Sequence, residues 1–439
     1  IIKSVLNAST NKLLTIESFS CFLNSLTCIK NASTIAVAVS SGVDSMSLLH
    51  ISDKWAKKYK KKLYVISYNH NLRKESLIEV KYVKTISKKL GWEHKTLKWS
   101  QPAKKNILEN ARIARYQAIS NFCKRQNINT LLLGHHLDDL IETFCIRILK
   151  NSRLDGLCPM TASRKLFNLN LIRPFLQTSK LEMYSYAKLN KIRFFEDPTN
   201  KNSNYIRTKI RFLLEKNKNL KYKFSKSVDL FCRLKKYSDN ITNKFNLDNI
   251  KFEKEGYFLI NRINFLKLPE FLNIKILNII IMNLGNNTYP LRSRTLLRLS
   301  KTILEEKLST ISAGGCLLIN HKTHIFILRE FNHIKDLKLS ISQGKKAIWD
   351  KKFLITNLSR NYNIYVTSFG KELENKSFLE FYNSKKSIIK KIPFVIKKTL
   401  PVIKTLEGLI YIPHLNIYNN KNIKKLVSLE IIDYYNIYN

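Results

Sequence analysis

The 439-residue chain predicts an α/β fold: an N-terminal parallel-sheet domain, a helical middle domain and a small α+β C-terminal domain. Three observations carry this expectation. From Ile35 to about Asp197, short apolar runs alternate with helical patterns, the order that strand–helix crossovers produce. After about Phe212 the texture turns to Lys/Asn-rich helical sequence, and beyond Gly344 short β-rich runs return. The domains are therefore placed at residues 1–214, 215–340 and 341–439.

The elements follow in order. Residues 16–26 form an apolar packing helix that carries Glu17 and little basic character, unlike a signal peptide. Residues 35–39, Ile-Ala-Val-Ala-Val, are the first strand, and Ser40 to Ser45 make a tight loop into a helix that starts near Met46. A second strand covers residues 63–68, a helix covers 75–90 and stops at Gly91, and a long helix covers 107–125. Residues 130–134 form a strand ending at a glycine. The helix after it has Leu137, Ile141, Phe144 and Ile148 as its apolar stripe. The helical middle runs to about Lys307, and Gly314-Gly315 precedes a hairpin of residues 316–319 and 324–328. Residues 353–356 and 363–366 read as strands of the last module.

Lys and Arg exceed Asp and Glu by 77 − 32 = 45 charges, which points to a polyanionic partner, nucleic acid ahead of a membrane surface. Lys, Asn and Ile are abundant and Gly is scarce, so an AT-biased coding sequence accounts for part of that charge. Seven dispersed cysteines form no C-x-x-C pair, which argues against a disulfide framework, a zinc site or a cluster. A reducing compartment follows: the cytoplasm, with an organellar matrix or stroma as the alternative because the first residue is Ile1. No apolar run approaches the roughly 20 residues of a membrane span.

The chemistry concentrates at strand ends, where open parallel sheets bind ligands. Ser40, Ser41, Gly42, Val43, Asp44 and Ser45 put backbone N–H groups and hydroxyls at a helix N-terminus, a place to hold phosphate. The loop has neither the lysine of G-x-x-x-x-G-K-[ST] nor the spacing of G-x-G-x-x-G, so ordinary P-loop and dinucleotide readings lose ground. Gly134-His135-His136-Leu137-Asp138-Asp139-Leu140-Ile141-Glu142 opens the second candidate helix. Asp138 and Glu142 are spaced i,i+4 and Asp139 and Glu142 i,i+3, so carboxylates share one face; acids in a first turn also serve the helix dipole. Two adjacent histidines point apart, so a hard Mg²⁺ shared with phosphates suits these carboxylates better than zinc.

Together these motifs resemble the tRNA(Ile)-lysidine synthetase family of PP-loop ATP pyrophosphatases, whose loop reads S-G-G-x-D-S. Further stretches agree: Tyr68-Asn69-His70-Asn71-Leu72-Arg73, Glu109-Asn110-Ala111-Arg112-Ile113-Ala114-Arg115-Tyr116, Arg173-Pro174, and Glu196-Asp197-Pro198-Thr199-Asn200 followed by Arg207 and Arg211. Weaker similarity continues through Tyr289-Pro290, Gly314-Gly315-Cys316, Trp349-Asp350 and Ile412-Pro413-His414. Two departures stand out. Ser41 replaces the first loop glycine, a strained choice if that position has positive φ, and Leu140 takes a usual glutamine position.

The resemblance implies an adenine nucleotide alpha hydrolase-like domain that uses ATP, with Mg²⁺, to join free lysine to the wobble cytidine of tRNA(Ile) with a CAU anticodon. It implies Asp44, Asp138, Asp139 and Glu142 as catalytic residues, Asp44 also as a Mg²⁺ ligand, and Ser40 to Ser45 with His70 and His135 at ATP. Arg112, Arg115, Arg207 and Arg211 would meet phosphate or cytidine. Arg292, Arg294 and Arg298, with the Lys385-Lys386 and Lys390-Lys391 pairs, are candidates for tRNA contact. No membrane partner is expected, and a homodimer is left open. Two alternatives also stay open: a thiolating PP-loop tRNA modifier and a non-catalytic tRNA-binding relative.

Overall fold

The apolar run that begins near Ile35 becomes the centre of a six-stranded sheet, because a strand buried on both faces needs side chains that want no water on either side. The computed structural model describes residues 14–69, 76–98, 107–158, 160–196, 206–287, 290–305, 309–385 and 392–432. The chain divides into two compact units, Ile1–Lys235 and Lys236–Asn439. The expected domain 1–214 lies inside the first unit, 341–439 inside the second, and 215–340 falls across both. His70, Asn71 to Arg73, Asp197 to Asn200, Tyr289, Lys386, Lys390 and Lys391 lie outside the described residues.

The first unit runs α1 (Ile16–Asn24), α2 (Thr27–Lys30), β1 (Thr34–Ala38), α3 (Val43–Lys58), β2 (Lys62–Asn69), α4 (Ser76–Leu90), β3 (Glu93–Lys98), α5 (Ile107–Arg125), β4 (Thr130–Leu132), α6 (Leu137–Leu149), α7 (Leu154–Leu157), β5 (Ser163–Leu166), β6 (Leu169–Ile172), α8 (Lys180–Leu189), α9 (Ile206–Lys216) and the start of α10 (Lys218–Asn249). The strand order is β3-β2-β1-β4-β6-β5. All neighbours are parallel except β5 against β6, and Ala36 sits between Tyr64 and Leu131. The chain moves outward on one side through β2 and β3, then crosses back to place β4 on the other side of β1. That reversal opens a crevice beyond the ends of β1 and β4, where both candidate motifs begin.

The edge strands β3, β5 and the short β6 escaped the sequence reading. Glu93, Lys95 and Lys98 are spread along β3, and Arg164 and Lys165 lie on β5, so neither carries a continuous apolar run. The stripe on α6 also differs from expectation. Ile141 and Phe144 are buried as predicted, but Ile148 is 41% exposed, and Leu140 at 7% joins a core with Leu176, Ile210, Leu214 and Val228. Leucine at the usual glutamine position therefore packs against α9 and α10.

The second unit holds the end of α10, then β7 (Ile250–Glu253), β8 (Tyr257–Asn261), α11 (Arg262–Leu266), α12 (Glu270–Leu284), α13 (Ser293–Leu304), β9 (Ser309–Ala313), β10 (Cys316–Asn320) and β11 (His324–Arg329). The hairpin of β10 and β11 is as predicted, but it belongs to a sheet β7-β8-β11-β10-β9. The pair β7–β8 interrupts a stretch read as wholly helical. The β-rich runs near the C-terminus form β13 (Lys346–Trp349), preceded by β12 (Leu339–Ile341), then β14 (Phe353–Asn357) and β15 (Ile364–Ser368) in two further sheets.

Two of the weaker motifs meet at one buried carboxylate. Asp350 Oδ1 accepts from Arg329 Nε at 3.2 Å and Asn286 Nδ2 at 3.1 Å, and Oδ2 lies 3.1 Å from the Nζ of fully buried Lys352. Arg329 Nη1 also donates to the carbonyls of Gly285 and Gly315, at 2.9 and 3.0 Å. Asp350 and Lys351 both have positive φ, +44° and +55°, the tight hairpin turn that carries β13 into β14. Burial pushes the Lys352 amine below its usual pKa, and Asp350 opposes that shift.

Candidate active site

Beyond β1 the chain turns through Ser40 to Ser45 and enters α3, whose cap residue Gly42 has extended backbone. Ser45 organises the turn: its Oγ donates to the Gly42 carbonyl and accepts from Ser40 N–H, both at 3.0 Å, with Ser40 Oγ at 3.3 Å. Ser40 itself is exposed, so its hydroxyl can reach a ligand. Ser41 has φ +68°, the left-handed region in which Cβ crowds the backbone. The loop thus does need positive φ at that position. The end of β4 comes close to this turn: a Cβ on Gly134 would lie 3.2 Å from the Asp44 carbonyl carbon and 3.3 Å from Ser45 N. Glycine there lets the two loops touch backbone to backbone.

His136 caps α6 in an extended conformation. Its Nδ1 accepts from Asp139 N–H at 3.4 Å, while its own N–H donates to Asp139 Oδ2 at 3.2 Å. The Nε2 of the same ring faces Asp139 Oδ2 at 3.5 Å and Asp44 Oδ2 at 3.6 Å. Asp44 and Asp139, distant in sequence, therefore flank one buried imidazole. Burial raises the Asp44 pKa, His136 pulls it back, and the charge of Asp139 adds to the rise. For Asp139 burial also opposes ionisation, but His136, Arg207 and His135 outweigh it and hold the carboxyl below its usual range.

The other acids are engaged as well. Asp138 Oδ2 accepts from Lys180 N–H at 2.8 Å, at the start of α8, and Oδ1 pairs with Lys221 of α10. Glu142, 2% exposed, accepts from Arg207 Nε and Arg211 Nε, each at 2.7 Å, and from Arg211 Nη2 at 3.2 Å. Arg207 Nη2 reaches Asp139 Oδ1 at 3.1 Å, so one guanidinium bridges the two carboxylates. Two of the four arginines expected to meet phosphate or cytidine thus partner two of the acids expected to be catalytic.

Arg112 and Arg115 occupy a different flank, with guanidinium carbons 5.4 and 5.3 Å from the Tyr116 ring centre. Their charges, together with buried Arg173, act on His135. Burial is the main cause that lowers this imidazole, to about 4, and the three arginines add to it against the pull of Asp139. His135 is therefore neutral at working pH. His94 and His414 are likewise lowered by burial to about 4. Each folded pKa lies below the unfolded value near 6.5, so the unfolded chain binds more protons between those limits. Denaturant midpoints should fall as pH is lowered from about 6.5 to 4, and a flat profile across that window would rule this out.

His136 is the functional candidate that the sequence reading left without a role. The available signal was position: the residue before an acidic first turn is the helix cap.

The family model for the PP-loop domain matches residues 13–217. The chain is 30% identical over 415 residues to tRNA(Ile)-lysidine synthase from Orientia tsutsugamushi, covering 90% of this chain and 92% of that one. It is 31% identical over 396 residues to the enzyme of that name from Wolbachia pipientis, with 88% and 90% covered. The chain belongs to the tRNA(Ile)-lysidine synthase family. The lysidine synthase from Rickettsia felis, 31% identical over 416 residues, likewise matches 92% of this chain, well beyond the PP-loop domain. Lysidine synthase membership does not favour the thiolation alternative. The PP-loop domain also implies ATP use.

Proposed function

We propose that this chain joins lysine to C2 of the wobble cytidine of CAU-anticodon tRNA(Ile), through an adenylated cytidine, with release of pyrophosphate and AMP. Family membership supports lysidine formation on tRNA. One observation carries the rest: the phosphate-holding loop and the acidic helix converge, Asp44 and Asp139 both lying within 3.6 Å of His136 Nε2.

The cytosine 2-oxo group is a poor leaving group. Its attack on the α-phosphorus of ATP expels pyrophosphate, and lysine's deprotonated side-chain amine then attacks C2 and expels AMP, which keeps the former 2-oxo oxygen. Ser40, Ser45 and the N–H groups opening α3 hold the departing pyrophosphate. Among the described residues no trio of His, Cys, Asp and Glu forms a metal cage. The buried Asp44 Oδ1, which has no hydrogen-bond partner among the described residues, nevertheless fits Mg²⁺, an ion that takes one or two carboxylates and completes its shell with phosphate and water. Bound there, Mg²⁺ would neutralise phosphate charge.

Asp139 and Glu142 receive the lysine ammonium. They already share one cation, the Arg207 guanidinium, which is 44% exposed and free to give way, while half-buried Arg211 keeps its hold on Glu142. Asp139, held ionised, accepts the ammonium proton. Arg112 and Arg115 meet phosphate or cytidine beside neutral His135. Residues 215–340 and 341–439 read the rest of the tRNA, with exposed Arg292, Arg294 and Arg298 at the start of α13 as phosphate contacts.

Incubation with ATP, labelled lysine and a CAU-anticodon isoleucine tRNA transcript tests this; absence of pyrophosphate release and label transfer would sink it. Glu142→Ala should impair label transfer more than pyrophosphate release, and equal loss at both steps would argue against the assignment.

A further inference from the structure

We infer that Glu79, outside the acidic cluster, is a positioning residue for the pyrophosphate loop, because its carboxylate holds Ser41 in the left-handed conformation that the loop requires. The inference rests on the reading above that this loop grips ATP.

Glycine adopts positive φ without steric cost, whereas a residue with a Cβ is stable there only if its surroundings hold it. At Ser41 the surroundings do so from both sides. The hydroxyl donates to Glu79 Oε2 at 3.0 Å, and the carbonyl accepts from Phe195 N–H at 3.0 Å. Ser41 is 1% exposed, so its hydroxyl has little water to turn to in place of Glu79. Glu79 lies in the first turn of α4 and is half-buried.

The Ser41 hydroxyl is the donor to Glu79 Oε2. The Ser41 hydroxyl proton therefore points at Glu79 and away from the crevice, and Ser41 serves the ligand through its backbone alone. This separates it from Ser40 and Ser45, whose hydroxyls lie together at the other side of the turn. If Ser41 relaxed to negative φ, the peptide joining it to Gly42 would rotate and carry the Gly42 N–H out of the cradle. A serine in a glycine's place is thus workable in this chain because a carboxylate on α4 reaches it.

A four-variant cycle tests the coupling: Glu79→Ala, Glu79→Gln, Ser41→Gly and the Ser41→Gly/Glu79→Ala double variant. The readouts are KM for ATP and kcat in tRNA-dependent pyrophosphate release. Glu79→Ala should raise KM about tenfold with little change in kcat, the scale of one lost hydrogen bond to a charged group. Glu79→Gln keeps an acceptor and should stay within about twofold of wild type, and Ser41→Gly supplies the background in which no support at position 41 is needed. In the Ser41→Gly background, Glu79→Ala should change KM by less than about twofold, since glycine needs no support.

An unchanged KM in Glu79→Ala overturns the inference. So does an equal rise in KM with glycine at position 41, because Glu79 would then act elsewhere. If the wild-type chain binds ATP without releasing pyrophosphate, the proposed reaction fails, and the same cycle read as ATP affinity decides the role of Glu79. A wild-type chain that binds no ATP overturns both.

Discussion

Asp44→Ala is expected to lower ATP-dependent pyrophosphate release by about a thousandfold or more, the loss that follows when a group balancing transition-state phosphate charge is removed. The two oxygens of Asp44 do different things. Oδ2 faces the imidazole that also faces Asp139, and Oδ1 is buried with no hydrogen-bond partner among the described residues. A buried, unpaired carboxylate oxygen is costly, and burial accordingly raises the Asp44 pKa. A cation on that oxygen would remove the cost and hold the group ionised. Alanine would leave the loop its N–H donors, so ATP and tRNA affinities should fall far less than the rate. Single-turnover pyrophosphate release with a tRNA gel-shift control checks this, and activity within tenfold of wild type would remove Asp44 from the chemistry.

The second large effect lies in the other unit. Asp350→Ala should destabilise it by about 3–5 kcal/mol, the range found when one partner of a buried ion network is deleted. One carboxylate serves two buried cations, Arg329 and Lys352, and alanine leaves both without a counter-charge. Arg329 would keep its bonds to the Gly285 and Gly315 carbonyls, but Lys352 would lose the partner that offsets its burial. Hydrogen exchange on the full chain should show faster exchange across β10, β11, β13 and β14, with β1 to β4 unchanged. Uniform exchange rates in variant and wild type would contradict it.

How legible the fold was depended on whether each signal was local. Strands β1, β2 and β4 announce themselves because burial on both faces requires continuous apolar sequence, and α5 falls at the predicted residues 107–125. The charged edge strands and the β7–β8 pair carry no such run. Leu140 was read as a departure from a motif, yet its i,i+4 relation to Phe144 placed it on the buried side of α6. In the site, spacing gave the shared face of Asp139 and Glu142. Nothing local could show that Arg207 and Arg211, some 65 to 69 residues on, would bind those same carboxylates. The strain at Ser41 was conditionally legible from the missing glycine; its remedy was not, because Glu79 is 38 residues away.

The charged borders of the main sheet also matter while the chain is being made. Among the described residues no strand pairs with the outer edge of β3 or β5, and such an edge is a template on which an unfinished neighbour could zip. Glu93, Lys95 and Lys98 on one border and Arg164 and Lys165 on the other would bring charged side chains into register between two such ribosome-fresh chains. In a protein with this much apolar β-sequence at its centre, the residues that disguised the borders also guard against aggregation.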